Sequence, residues 1–417
     1  VADGGGPGAQ PTAAGRIESI DRVRGLSVLL MLFVNEVAGV PNAPALLLHA
    51  PRGVDGMTVP DVVFPAFLFV VGMAIPFALG RRLRHGDGRW AAWRHVAVRS
   101  AGLIAIGVLM VNAESARGAA LLSPHTWNML MTLGVVAVWQ APVDDRAARR
   151  RWLGGLGVAL LVALVLAYRG NDASGLIQLR PKWWGILGLI GWAYLVAASA
   201  YLLVGARPAL LLGLSGLLYL LDVADEVLQP GWLRAFRPLL SVGSVIGTHG
   251  AVVVSGSVLG AALWQRGAAG GAGRSVVRPA LAYAAALAIA GLLVHALHGL
   301  HPAFQISKLA ATAPWGLLSA AATVVAWVVV HRLDEPSGAM RWPPAVGMAG
   351  ENALLAYLLA PFLLSLFAWC APLLGGTNPY EALAAPAWLG LARSAAFAWV
   401  VVRLCGSFQR CGVRMHL

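Results

Sequence analysis

The side chains of this chain that could do chemistry gather early. Arg24, Asn35 and Glu36 lie in one apolar run, His49 and Asp55 in the polar stretch after it, and Asp61 follows Pro60 at the start of the next run. An imidazole, with an ordinary pKa of about 6.5, suits a group that gives and takes protons near neutrality. Asp55 or Asp61 could orient it, which is the base–orienter arrangement that activates an attacking group. Arg24 and Asn35 are eleven residues apart, nearly three helical turns. They therefore share a helix face at a separation of roughly 16 Å and could form the two ends of a slot. Each residue also has a plainer reading. Arg24 could anchor a span end, Asn35 could bond a neighbouring helix, His49 could be merely solvated, and Asp61 could offset the charge of a helix N-terminus.

Further polar residues intrude from later apolar runs, where their cost points to function. They are His249 in Gly247-Thr248-His249-Gly250, Ser255, Ser257, Ser307-Lys308, Glu351-Asn352 and Tyr357. Lys182-Trp183-Trp184 read first as an interfacial belt, and an aromatic face can also hold a sugar.

The elements that position these groups must be membrane helices. The chain of 417 residues is 59% hydrophobic and 12% charged, which excludes a soluble domain with a wet surface. Continuous apolar runs without period-two alternation argue for helices over a barrel. The expected architecture is all-α and polytopic, with about twelve spans at 22–41, 58–80, 95–113, 126–141, 152–168, 184–204, 208–222, 241–264, 277–298, 311–331, 345–370 and 386–405. Ten to twelve are compatible with the pattern, the fourth and seventh being short. Residues 1–15 read as a disordered cytoplasmic leader and 16–417 as a single transmembrane domain. About two-thirds of the basic residues fall on one side, which the positive-inside rule makes cytoplasmic and which puts His49 outside. Both termini are then cytoplasmic. The net charge of +13 comes from arginines at span ends and not from a basic domain, so nucleic acid is not expected as a partner. Three cysteines give no disulfide framework, and no zinc, P-loop or serine-hydrolase pattern is present. The glycine-rich stretch 267–273 reads as a linker.

Arg16-Ile-Glu-Ser19-Ile20-Asp21-Arg-Val-Arg24-Gly25, Phe33-Val34-Asn35, His49, and the run from Asp55-Gly56-Met57-Thr58-Val59-Pro60-Asp61 through Phe64-Pro65, Phe67 and Phe69 to Gly72 carry a resemblance. They look like the opening of the heparan-α-glucosaminide N-acetyltransferase family of transmembrane acyltransferases, bacterial members included. Similarity is looser over 102–112, 130–134, 246–260, 307–318 and 350–357. The resemblance implies that an acetyl group from cytosolic acetyl-CoA crosses the membrane to the amine of a glucosamine-type sugar on the outer or lumenal face. It puts the family's lumenal histidine at His49 and its neighbouring asparagine at Asn35. The chain departs from the family in the wording of its His49 loop and in an extra pair of spans around 184–222.

Making an amide from a thioester needs a base, a donor to the carbonyl oxyanion and a hold on the CoA phosphates. On this reading His49 is the base or a transient acyl carrier, Asn35 a donor, and Asp61 the group that orients His49. Arg24, Asp21, His249, Ser307, Lys308 and Asn352 contact the donor, while Asp55, Glu36 and Trp183 contact the acceptor. No metal is expected. The partners are a coenzyme A thioester, an amino-sugar acceptor and the bilayer, here a bacterial inner membrane. Small-residue spacing around Gly243, Gly247 and Gly250 is compatible with a homodimer. Two rival readings are a sugar or lipid-linked-substrate transporter or flippase using Asp222, Asp225, Glu226, His249, Lys308 and Glu351, and an O-acyltransferase of envelope polysaccharide.

Overall fold

The computed structural model describes residues 18–114, 122–140, 147–169, 178–268, 275–334 and 341–415, apart from the side chains of 147–150 and 268. The expected leader at 1–15, and 269–273 of the glycine-rich stretch, lie outside the described residues. Every expected span is helical: α1 Glu18–Val37, α2 Val59–Arg84, α3 Arg89–Glu114, α4 Pro124–Trp139, α5 Ala147–Ala167, α6 Gly185–Val204, α7 Pro208–Val223, α8 Gly250–Ala268, α9 Val277–His295, α10 Ala313–Leu333, α11 Pro344–Glu351, α12 Ala353–Cys370 and α13 Ala387–Arg410. The eighth span enters α8 through wider π-helical turns at Val242–His249. The eleventh is broken between α11 and α12 at Asn352, where φ is −134°.

Among the described residues eight helices are long and apolar enough to cross a membrane, and no strand occurs. The chain is an all-α polytopic membrane protein. The fourth and seventh spans are the short ones, at 16 residues each. α1 has the length but carries Glu18, Asp21, Arg22, Arg24 and Glu36, charges that a lipid-facing helix would not tolerate.

Inside a bilayer helices associate by close packing and not by expulsion of water, so small residues mark the tightest contacts. α2 and α8 meet through Gly72 and Gly256: a Cβ on Gly72 would strike the carbonyl of Val253, and one on Gly256 the carbonyl of Phe69. Ser257 Oγ donates to the Gly72 carbonyl across the same contact at 3.1 Å. α1 and α11 approach equally closely, Gly25 against Val346 and Gly350 against Asp21. The glycines of the expected dimer motif pack within the chain, Gly243 against Asp225, Gly247 against Leu218 and Asp222, and Gly250 against Val196.

Successive spans alternate in direction. The α1–α2 connection with His49, the α9–α10 connection with Lys308 and the α12–α13 connection with Tyr380 therefore share one end, here the His49 end. The first turns of α1 and the basic last turn of α2, Arg81, Arg82 and Arg84, mark the other, here the Arg24 end.

Candidate functional site

α2 begins with Thr58 as its cap and Pro60 in its first turn, where a missing N–H costs nothing. That start builds the His49 cluster. Thr58 Oγ1 donates to the Leu48 carbonyl at 2.6 Å, and the Ala50 amide donates to Asp61 Oδ2 at 3.0 Å. Both peptide neighbours of His49 are thereby tied to one helical turn. Between these ties His49 Nδ1 lies 2.7 Å from Asp61 Oδ1. The Thr58 amide also donates to Asp61 Oδ2, at 3.0 Å, and the Asp61 side chain is only 2% exposed. With Nδ1–H donated to this buried carboxylate, Nε2 carries the lone pair, the form a base requires.

Lys308 completes the cluster from the α9–α10 connection. Its Nζ lies 3.2 Å from His49 Nε2, 3.1 Å from Nδ1 and 4.0 Å from Asp61 Oδ1. Burial lowers the pKa of Lys308 from the usual lysine range, and the charge of Asp61 partly opposes the shift. The two connections are joined alongside: Asp55 Oδ1 accepts the Ile306 amide at 2.8 Å, and the Gly56 amide donates to the Ile306 carbonyl at 2.9 Å. Beneath the cluster Trp315 Nε1 donates to the Asp61 carbonyl at 2.9 Å. His249 is buried against the rings of Phe64 and Trp315 and bonded through Nδ1 to the Ser244 carbonyl, a supporting position under the start of α2.

Two cavities follow one another along the same faces of α1, α3 and α12. The first, about 260 Å³, lies toward the Arg24 end and is lined by Arg24, Met31, Arg99, Tyr194, Asn352 and Tyr357, among others. The second, about 820 Å³, is lined by Asn35, Glu36, Glu114, His125, Asn128 and Arg393, among others. Arg24, Val28 and Met31 of the first and Asn35 of the second fall at helical spacing on one stripe of α1, and Gly39 follows in the turn after it. Leu354 and Tyr357 on α12 continue into Pro361, Leu364 and Ala368 in the same way. The expected face shared by Arg24 and Asn35 thus lines cavities at both of its ends.

The walls carry charge. Arg24 Nε donates to the Gly350 carbonyl at 2.6 Å and Nη2 to Asp21 at 2.5 Å. The buried Arg99 Nε has no hydrogen-bond partner among the described residues, and its guanidinium lies 5.0 Å from the Tyr194 ring centre. In the larger cavity Tyr380 donates its hydroxyl to Glu36 at 2.7 Å. Burial and that bond to the carboxylate hold the Tyr380 hydroxyl protonated well above the usual phenol range. Arg393 lies over the Tyr380 ring at 4.2 Å and donates to the Tyr380 and Glu36 carbonyls.

The expected site residues therefore fall into three groups. His49, Asp61 and Lys308 form one cluster, with Asp55 and the backbone around Ser307 shaping its border. Arg24, Asp21 and Asn352 gather at the first cavity, where Asn352 clips the later chain by donating to Val413 O and accepting from the Met415 amide. Asn35 and Glu36 line the second cavity. His49 lines none of these cavities, and Trp183 is exposed beside the start of α6. The polar residues of the transporter reading are dispersed: Asp225 is held by the Gly243 amide and Arg237, Glu351 by Gln409, and Lys308 by His49. The sequence reading did not single out Arg99, Glu114, His125, Tyr380 or Arg393. For Arg99 a signal existed, because it lies about ten residues inside a helix beginning at Arg89, deeper than an anchoring arginine needs to be.

Residues 16–116 match the family model described as heparan-alpha-glucosaminide N-acetyltransferase, catalytic. The heparan-alpha-glucosaminide N-acetyltransferase of Homo sapiens is 33% identical over 121 residues, 29% of this chain and 17% of the human protein. That of Mus musculus is 31% identical over 130 residues, 31% of this chain and 18% of the mouse protein. The similarity thus spans under a fifth of the length of these relatives. The residues matched by the family model contain α1, the His49 loop, α2 and α3, the segment that supplies Arg24, Asn35, His49, Asp61 and Arg99. Over this segment the chain resembles the heparan-alpha-glucosaminide N-acetyltransferase family.

Proposed function

We propose that the chain is a membrane acetyltransferase. Acetyl-CoA enters at the Arg24 end, which faces the cytoplasm, and its acetyl group passes to the amine of a glucosamine-type sugar at the His49 end, outside a bacterial inner membrane. The observation that carries this reading is the succession of two cavities along one stripe of α1, with Arg24 and Arg99 at one end and Asn35 at the other. A stripe of roughly 16 Å between Arg24 and Asn35 is commensurate with an extended pantetheine arm.

In the reaction the amine attacks the thioester carbonyl, a C–N bond forms and the C–S bond breaks. The amine proton goes to His49 Nε2 once the His49 loop has turned toward the larger cavity, which His49 does not line in this structure, and the departing CoA thiolate takes a proton in turn. Asp61 keeps the proton on Nδ1, so that the lone pair stays on Nε2. Lys308, which donates toward Nε2 in the resting cluster, must release it first. Asn35 donates to the oxyanion, and Arg24 and Arg99 hold phosphate by charge-assisted hydrogen bonds.

The test uses the purified protein with acetyl-CoA and glucosamine. Acetylation should be lost in His49→Ala and in Asn35→Ala, while CoA binding persists. Loss in Asn35→Ala with full activity in His49→Ala would pass the role of base to His125 or Glu114 in the larger cavity. Absence of CoA binding to the wild type would overturn the reading in favour of a transporter. Radiolabelled acetyl-CoA without acceptor separates direct transfer from an acetyl-histidine route. An alternative polysaccharide hydroxyl acceptor would show as acetylation insensitive to blocking of the sugar amine.

A further inference from the structure

At the His49 end, α9 finishes at His295, the turn after it carries His298, and neither histidine has a part in the chemistry above. One ligand atom from each of Asp55, His295 and His298 can be chosen so that all three lie within 4.8 Å of one another. The two imidazoles are stacked with ring centres 4.9 Å apart and planes 22° from parallel. Both are oriented by backbone groups. His298 Nδ1 lies 3.0 Å from the His295 carbonyl and His295 Nδ1 lies 3.2 Å from the Phe304 carbonyl. Donation to those carbonyls leaves each Nε2 with its lone pair. Asp55 Oδ1 accepts the Ile306 amide and lies 3.7 Å from His295 Nδ1, and Oδ2 is left for a further partner. Such outer contacts fix histidine and carboxylate ligands in metal sites.

We propose that Asp55, His295 and His298 form a three-ligand site for a divalent transition metal ion, Zn²⁺ by its chemistry, that staples the His49 loop to the α9–α10 connection. Two imidazoles and one carboxylate favour Zn²⁺ and its neighbours over Mg²⁺ or Ca²⁺, which take all-oxygen sets. A tetrahedral ion at about 2.0–2.1 Å from each ligand brings ligand atoms to roughly 3.4 Å of one another. Partly exposed side chains at a helix end need to close by at most about 1.4 Å from the 4.8 Å limit to reach that geometry. The fourth position is open to water. The proposal departs from the expectation that no metal takes part. The joint it would stiffen is the one that also holds Lys308 against His49. Its truth does not depend on the acetyltransferase reading, because metal binding is measured without substrate.

The experiment uses the full chain, purified through a histidine-free tag, stripped with EDTA and titrated with ZnCl₂ by calorimetry, with thermal unfolding followed in parallel. The expected result is about one equivalent of saturable binding and a raised Tm, since a ligand of the folded state alone stabilises it. Both should weaken by more than about tenfold in His298→Ala and in Asp55→Asn. Both should persist in His301→Ala, whose ring instead caps the following turn by accepting the Ala303 amide. Four-coordinate binding is read from the visible absorption of the Co²⁺ form. Absence of saturable Zn²⁺ binding to the wild type, undiminished binding in His298→Ala and Asp55→Asn, or equal loss in His301→Ala would overturn the proposal. If His298→Ala does not give monodisperse protein, the nearly isosteric Asp55→Asn decides.

Discussion

Asp61 grips His49 twice over: one carboxylate oxygen takes the ring at Nδ1, and the other takes the amide of Ala50, the next residue along the chain. Ring and peptide plane are fixed by a single buried side chain whose own position is set by the first turn of α2. The imidazole therefore has a defined tautomer although it stands at a loop position, where side chains are ordinarily free to reorient.

This makes Asp61→Asn informative. The amide oxygen can keep the Ala50 and Thr58 contacts, which turns its NH₂ toward Nδ1 and drives the imidazole proton to Nε2. The acetylation kcat is expected to fall by about 10²–10⁴, the usual range for loss of a positioned base, with the KM for acetyl-CoA little changed. Asp61→Ala should in addition unpair two backbone amides, at roughly 1–3 kcal/mol of stability. Steady-state kinetics and thermal unfolding check both, and an unchanged kcat in Asp61→Asn would remove the dyad from the mechanism.

Arg99 lines the smaller cavity, and its buried Nε has no hydrogen-bond partner among the described residues. If that cavity receives CoA phosphate, Arg99→Ala should weaken CoA binding by about tenfold or more, the loss of a charge-assisted hydrogen bond worth roughly 1.5–3 kcal/mol. Arg24→Ala should weaken binding and also loosen α11, because Arg24 bonds the Gly350 carbonyl. Calorimetry with CoA is the measurement, and wild-type affinity in Arg99→Ala would contradict the assignment.

Lys308 gives a dependence on pH. Its pKa is lowered in the folded protein from the usual 10.5, so between the lowered value and 10.5 the unfolded chain holds a proton that the folded chain has released. Stability contributed through this residue must then rise with pH across that window. The Tm of the wild type minus that of Lys308→Met is expected to increase as the pH rises toward 10.5. A difference that stays flat would mean that the ammonium is not penalised by burial beside His49.

The contact of α2 with α8 predicts a mechanical effect on the site. Gly72→Ala or Gly256→Ala places a methyl group against a backbone carbonyl, which neither helix can accommodate by a rotamer change. A loss of about 1–3 kcal/mol is expected from such overpacking. It should be accompanied by reduced acetyl transfer, since α2 carries Asp61. Unfolding in detergent measures the first effect and activity at a permissive temperature the second.

The helices were legible because lipid forces backbone groups to pair within each segment, so every span announces itself as an apolar run. His49 and Asp61 were legible for a similar reason: the partners are twelve residues apart, and the capped turn between them is local. What sequence could not reveal was contact across hundreds of residues. Lys308 was expected to hold the donor and instead meets His49, because the pairing of Gly56 with Ile306 brings two distant connections together. Arg393 and Tyr380 close on Glu36 from α13 and the connection before it, and nothing in their local sequence distinguishes them from an ordinary anchor and an ordinary belt residue. Asn35 and His49 lie near each other in sequence, yet the first faces the larger cavity and the second does not line it.

The interruption at Asn352 has a consequence for handling the protein. The same asparagine that breaks the eleventh span is fastened to Val413 and Met415, and Met415 both helps wall the smaller cavity and bridges to Gln140. A reporter or affinity handle fused just beyond this segment would pull on the floor of the proposed donor chamber, so inactivity of such a fusion would report on the attachment before it reported on the chemistry.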